Sequence, residues 1–179
     1  DAAGQFATSS LITGQVHAAS YGGAIAATLT PAVTAMETAY EDARSRTRAV
    51  GARLNTNGGA FNEDVLTPGV YTFDASLGLT GDVHFQGSDT DVFIIQIAGS
   101  LVQNAGYKVI LDASDVGTPL AKNIFWQVAG TVTIMSTAHM EGILLVKTGI
   151  AFVTGSSING RIFTQTACTL DQATVVATL

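Results

Sequence analysis

The chain has 179 residues, 47% of them hydrophobic and only 12% charged, with 19 glycines, three prolines and a single cysteine. That length and apolar content fit one globular domain and exclude a disordered tail, and no apolar run approaches the roughly 18 residues of a membrane span. Eight Lys and Arg against fourteen Asp and Glu give a net charge of -6, so no basic face is available to track phosphates and no nucleic-acid partner is expected.

Asp1 opens the chain without a basic-then-apolar leader, and Cys168 has no second cysteine with which to close an intrachain disulfide. Thr30 followed by Pro31 reads as an N-cap with proline at the first helical position. Val33, Met36, Tyr40 and Ala43 then recur at three- and four-residue intervals. These signals predict one amphipathic helix from about Pro31 to about Arg48, within 31–50, with Gly51 as its stop. Glu37, Glu41 and Asp42 fall on its earlier turns, and Arg44, Arg46 and Arg48 near its end, where the macrodipole favours cations.

Beyond the loop Asn55 to Gly59 the texture changes. From Leu66 onward the chain is rich in Val, Ile, Thr and Phe, with glycines at regular separations. It is also self-similar: Ile124 to Gly130 echoes Phe93 to Gly99, Leu145 to Gly149 is echoed by Thr164 to Ala167, and the last three units are 18 to 19 residues apart. A repeat of that length, built of short strands joined by Gly, Asn and Ser turns, is one coil of a β-solenoid. Alternation along the strands then stacks Val132 and Ile134, Ile150 and Phe152, and Cys168 and Leu170 as interior ladders, with Leu77, Leu79 and Leu101 in earlier coils. The longer step from Gln96 to Gln127 fits an excursion at Asp112 to Pro119. The expected organisation is one domain, 1–179, with its main coils over about 66–179.

Three faces follow. The first strand of each coil (Tyr71 to Phe73, Val92 to Ile97, Ile124 to Val128, Ile143 to Val146) is apolar on both sides and needs a cover, which the stripe of the predicted helix would supply. The third strand sends His84, Gln86, Lys108, His139, Glu141, Ser157 and Asn159 outward, a mixed polar surface read as ordinary solvent exposure. The second strand differs. Its outward positions are Ser76, Gly78 and Thr80; Ser100 and Val102; Thr131, Thr133 and Met135; Ala151 and Val153; Thr169 and Asp171. Threonine and valine are good strand formers, which alone accounts for part of this pattern. A surface that only needs to stay soluble would carry lysine and glutamate instead. A rigid plane, half hydroxyl and half methyl, suits an extended and regular ligand such as a crystal surface.

Several segments resemble the ice-binding, or antifreeze, proteins of cold-adapted fungi, bacteria and algae. They are Pro68 to Thr72, Asp91 to Gly99, Ala121 to Gly130, His139 to Ile143 and Gly155 to Arg161, together with the helical stretch Ala35 to Ala43. The resemblance implies a right-handed, discontinuous β-solenoid of triangular cross-section with one long helix packed along one face. It further implies a secreted, monomeric protein that adsorbs to an ice crystal surface through another, flat face. Its location passes to the second-strand positions by elimination, with Met135, Val153 and Asp171 at the margin. Members of that family usually begin with a further stretch before the segment matching Asp1 to Ser9, and none corresponds here, so a fragment or a shorter natural form is expected.

Catalysis is not expected. His17, His84 and His139 lack the short spacings of zinc sites, and no G-x-S-x-G, Walker A, GxGxxG or HExxH pattern occurs. Asp112, Asp115, Glu141 and Asp171 fall at different corners, so no carboxylate pair at glycosidase distance is read, and no metal or cofactor is implied. Cys168, on an interior ladder, is read as a small core hydrophobe. The other functional reading of the same flat face is an extracellular adhesive or carbohydrate-binding module.

Overall fold

The computed structural model describes Thr13 and residues 24–178. His17 and the segment Asp1 to Ser9 lie outside the described residues. The chain forms two compact units, 1–39 and 40–179.

The helix α1 spans Ala24–Ser45, with Pro31 inside it. Its start corrects the expected one at Pro31. Ala24, Ala26 and Ala27 are strong helix formers that carry the helix upstream, and the φ of Pro31 is already helical. The helix also ends earlier than expected, at Ser45, and Gly51 opens a short 3-10 turn, Gly51–Arg53. The physical reason lies in the second unit. A helix end leaves its last carbonyls without donors. Here Gln96 supplies one: its Nε2 donates to the carbonyls of Ala43 and Arg46, each at 2.9 Å. The Thr72 hydroxyl donates to Gln96 Oε1 at 2.8 Å and accepts the Ala49 N–H at 2.9 Å, which fixes the amide's orientation. Tyr40 and Ala43 are buried, and burial raises the Tyr40 phenol pKa above the ordinary value, although the Gln127 side chain acts to lower it.

The arginines near this helix end are engaged one by one. Arg44 pairs with Glu41, Arg46 with Asp42 and Arg48 with Asp74, all among exposed side chains. The Arg48 guanidinium and the Asn55 amide hold the Asp74 carboxyl below its usual pKa. Their contribution is therefore present above the ordinary carboxylate range and lost as the pH falls through the lowered value.

Beyond two 3-10 turns, Gly51–Arg53 and Thr56–Gly58, the strands form a stack of parallel rungs in three sheets, interrupted by an excursion with an antiparallel bridge between Ser114 and Gly117 and a 3-10 turn, Ala121–Asn123. The second face is six-stranded, in the order Ala60–Phe61, Leu77–Leu79, Leu101–Gln103, Val132–Ile134, Ile150–Phe152 and Cys168–Leu170. The third face begins with Asp64–Leu66, Val83–Gln86 and Val109–Asp112, and a bridge between Lys108 and His139 continues it. The first face holds Gly69–Phe73, Phe93–Ile97 and Ile124–Val128, then the second halves of two eight-residue strands, His139–Val146 and Ser157–Thr164. Thr174–Val176 pairs with the first half of the latter. Among the described residues the rungs follow chain order within each sheet. The stack starts at Ala60, earlier than the expected residue 66, because its first strands are two and three residues long and sit among Asn and Gly.

The registers match the sequence echoes. Gln96 pairs with Gln127, Val132 with Ile150 and Ile150 with Cys168. Inside, Phe61, Phe73, Phe85, Phe93, Trp126 and Phe152 fill the core with Leu77, Leu79, Leu101, Val132, Ile134 and Ile150. Cys168 keeps its ladder register but is exposed, as is Leu170 at 48%, because theirs is the last rung described on that face. Local desolvation pushes the Cys168 thiol pKa up, which disfavours the nucleophilic thiolate.

Two strands turn a corner without breaking, and glycine makes this possible. Gly142 and Gly160 are in register, with φ of 117° and 153°. A Cβ at Gly160 would lie 1.8 Å from the Gly142 carbonyl oxygen, and one at Gly142 would meet Ile124 O at 2.8 Å and Trp126 Nε1 at 3.0 Å. The freed space admits the Trp126 indole, whose Nε1–H donates to Glu141 O at 2.9 Å.

Two outcomes follow from this packing. Gln96→Leu, which strands the carbonyls of Ala43 and Arg46, lowers unfolding stability by about 1–3 kcal/mol in scanning calorimetry. An unchanged Tm would show that the amide is dispensable. Gly160→Ala costs at least about 3 kcal/mol, from left-handed strain plus a backbone overlap that no rotamer relieves.

Candidate functional site

The second face presents its outward residues as three columns. In the central column Ala60, Gly78, Val102, Thr133, Ala151 and Thr169 are register partners in succession. Parallel strands set these about 4.8 Å apart. On the side where each strand begins stand Ser76, Ser100 and Thr131, followed by Gly149 and Ala167, since Leu77 N–H donates to Ser100 O, Leu101 N–H to Thr131 O and Ile150 N–H to Ala167 O. On the opposite side run Thr80, Asn104, Met135, Val153 and Asp171, tied by donation from Asn104 to Leu79 O, Met135 to Gln103 O, Val153 to Ile134 O and Asp171 to Phe152 O. All the sequence-predicted positions thus lie on one sheet.

Their polar groups divide into two kinds. Ser76 Oγ accepts the Ser100 N–H at 3.0 Å, Ser100 Oγ accepts the Thr131 N–H at 3.1 Å, and the Ser100 and Thr131 hydroxyls are 3.2 Å apart. These hydroxyls lace the corner together. Thr80 Oγ1 donates to Phe61 O at 3.2 Å, and Asp171 Oδ2 accepts from Thr154 Oγ1 at 2.6 Å. Thr133 and Thr169 make no side-chain hydrogen bond among the described residues, so their hydroxyls are turned to whatever meets the face. β-Branched side chains have few χ1 wells open to them, which limits how far hydroxyl and methyl can wander. Apart from Asp171 at the edge, no outward position of this face is charged.

Sequence reasoning missed Ala60 and Asn104. Ala60 is in a two-residue strand with no visible alternation, and the 24-residue step from Gly78 to Val102 departs from the 18-residue period. The register of Leu79 with Gln103 identifies Asn104 as the neighbour of Thr80.

The third face exposes Gln86 and Lys108 as expected and departs from expectation at Glu141. Glu141, read as solvent-exposed, is buried at 9% exposure. Its Oε1 accepts from Asn159 Nδ2 at 2.8 Å and from His139 Nε2 at 2.9 Å, which leaves His139 Nδ1 to accept the Ser157 hydroxyl at 2.7 Å. Both donors of Glu141 come from the same face, one from the next rung, a proximity invisible along the chain. His84 Nδ1 lies 3.1 Å from Asp112. The third face thus joins a buried carboxylate and its partners to a polar surface that is otherwise half-buried or exposed.

Comparison with known proteins identifies this architecture. A family model described as ice-binding-like matches residues 1–176. An ice-binding protein of Flammulina populicola is 43% identical over 176 residues, covering 98% of this chain and 69% of that protein. One from Flavobacterium frigoris (strain PS1) is also 43% identical, covering 84% of this chain and 52% of the relative. Among solved structures, an ice-binding protein from an Arctic yeast, LeIBP, superposes with a TM-score of 0.91 at 33% identity, over 99% of this chain and 74% of its own. The chain therefore spans from about half to about three-quarters of the length of these proteins. It belongs to the ice-binding-like family.

Proposed function

We propose that the chain adsorbs to ice through its second face, lowering the temperature at which ice grows and slowing recrystallisation. The observation that supports this most is the contrast between faces. Six parallel strands in unbroken order carry small outward residues, uncharged except at Asp171. The first face is engaged by the turn Tyr40 to Ser45 through Gln96, and the third carries its own hydrogen-bonded pairs, His84 with Asp112 and His139 with Glu141. The names of the relatives, ice-binding proteins from a fungus and a bacterium, agree with this reading.

The mechanism needs no chemistry. Each contact of a threonine hydroxyl or an alanine or valine methyl with ice is weak, because liquid water competes for it. The contacts add because the strand scaffold is rigid and few side chains are ordered on binding. Methyls of Val102, Thr133 and Ala151 favour ordered water over them, while the Thr133 and Thr169 hydroxyls bond into it. Once molecules are attached, the growing front bulges between them, and a curved front requires a lower temperature to advance. The net charge of -6 disfavours self-association, in keeping with a monomer acting outside the cell.

Thr133→Tyr and Ala151→Tyr place a ring on the central column, where it holds the plane off ice. Each is expected to abolish most of the freezing–melting gap and of crystal shaping, with the circular dichroism spectrum and Tm close to wild type. Unchanged activity in both variants would assign adsorption to another face.

A further inference from the structure

Two positions of the second face stand out by their side chains, Gly78 in the central column and Met135 in the column beside it. Gly78 sits in the central column between Ala60 and Val102 and contributes no side chain. Met135, in the adjacent column, is 40% exposed, beside half-buried Thr133 and Val153 and much as Val102 is at 37% in the central column. An unbranched thioether reaches further from the strand than threonine or valine and moves among more rotamers. A hollow and a protrusion therefore interrupt a surface whose value lies in being flat.

Gly78 is not required by the backbone. It does not adopt a positive φ, and a Cβ built on it meets only Thr80 Cγ2, at 3.6 Å, an ordinary contact. This sets it apart from Gly142 and Gly160, where a side chain cannot enter. Glycine inside a strand also weakens it, so a β-branched residue fits here on local grounds as well.

We infer that Gly78 and Met135 are the residues that set the extent of the adsorbing plane. Gly78 ends it on the side of the first rungs, and Met135 confines contact to the central column and the column of Ser76, Ser100 and Thr131, limiting which crystal surfaces the chain accepts. The inference rests on adsorption through this face. Its consequence is a gain of function, which loss of structure cannot imitate.

The test is thermal hysteresis and ice-crystal shape for the wild-type chain, Gly78→Thr and Met135→Thr at equal concentration, with Tm measured alongside. Gly78→Thr is expected to shift the freezing point further below the melting point than wild type. Met135→Thr is expected to do the same and to change the crystal habit. A wild-type chain that shapes ice while neither threonine variant alters gap or habit, both being folded, overturns this inference alone. A wild-type chain that does not shape ice overturns the adsorption reading and this inference with it.

Discussion

The stacking of each rung on the next in fixed register is the constraint from which the rest follows. Val132 over Ile150 over Cys168, and Leu77 over Leu101, keep like residues above like. Slipping a strand by one residue would send its apolar set outward and its polar set into the core. Because that error is so costly, the outward positions are held as firmly as the inward ones. A surface of serine, threonine and alanine has no strong interaction with which to organise itself; here it borrows order from the leucines and isoleucines behind it.

The three faces then differ by what their outward residues already do. On the first, Thr72, Gln96 and Gln127 form a polar column that closes the end of α1, so the helix terminus and the sheet satisfy each other's donors and acceptors. On the third, Glu141 is buried among His139 and Asn159, and a charge placed so is affordable only with those partners. On the second, the bonds between Ser76, Ser100 and Thr131 finish the corner and leave the central column uncommitted.

Much of this was legible in the chain because the solenoid writes its period into it. Ile150 and Cys168 stand 18 residues apart and prove to be register partners, and the echo of Phe93 to Gly99 in Ile124 to Gly130 is the pairing of Gln96 with Gln127. What could not be read depends on partners far along the chain. The start of α1 hung on Thr30 and Pro31, whose cap signal was outweighed by the alanines before it. The helix end was set by Gln96, some fifty residues away, and the burial of Glu141 by Asn159 on the next rung. Asn104 was hidden by an irregular step between rungs. The choice of the second face as the adsorbing one comes from composition and elimination, and its residues are offered on that ground.

The most direct test of the central idea is partition of fluorescently labelled protein into a slowly growing single crystal of ice, with the labelled Ala151→Tyr variant alongside. The account predicts that the wild-type chain is incorporated on defined crystal planes and the variant is left in the liquid. Exclusion of both, or equal incorporation of both, would contradict adsorption through the threonine-bearing sheet.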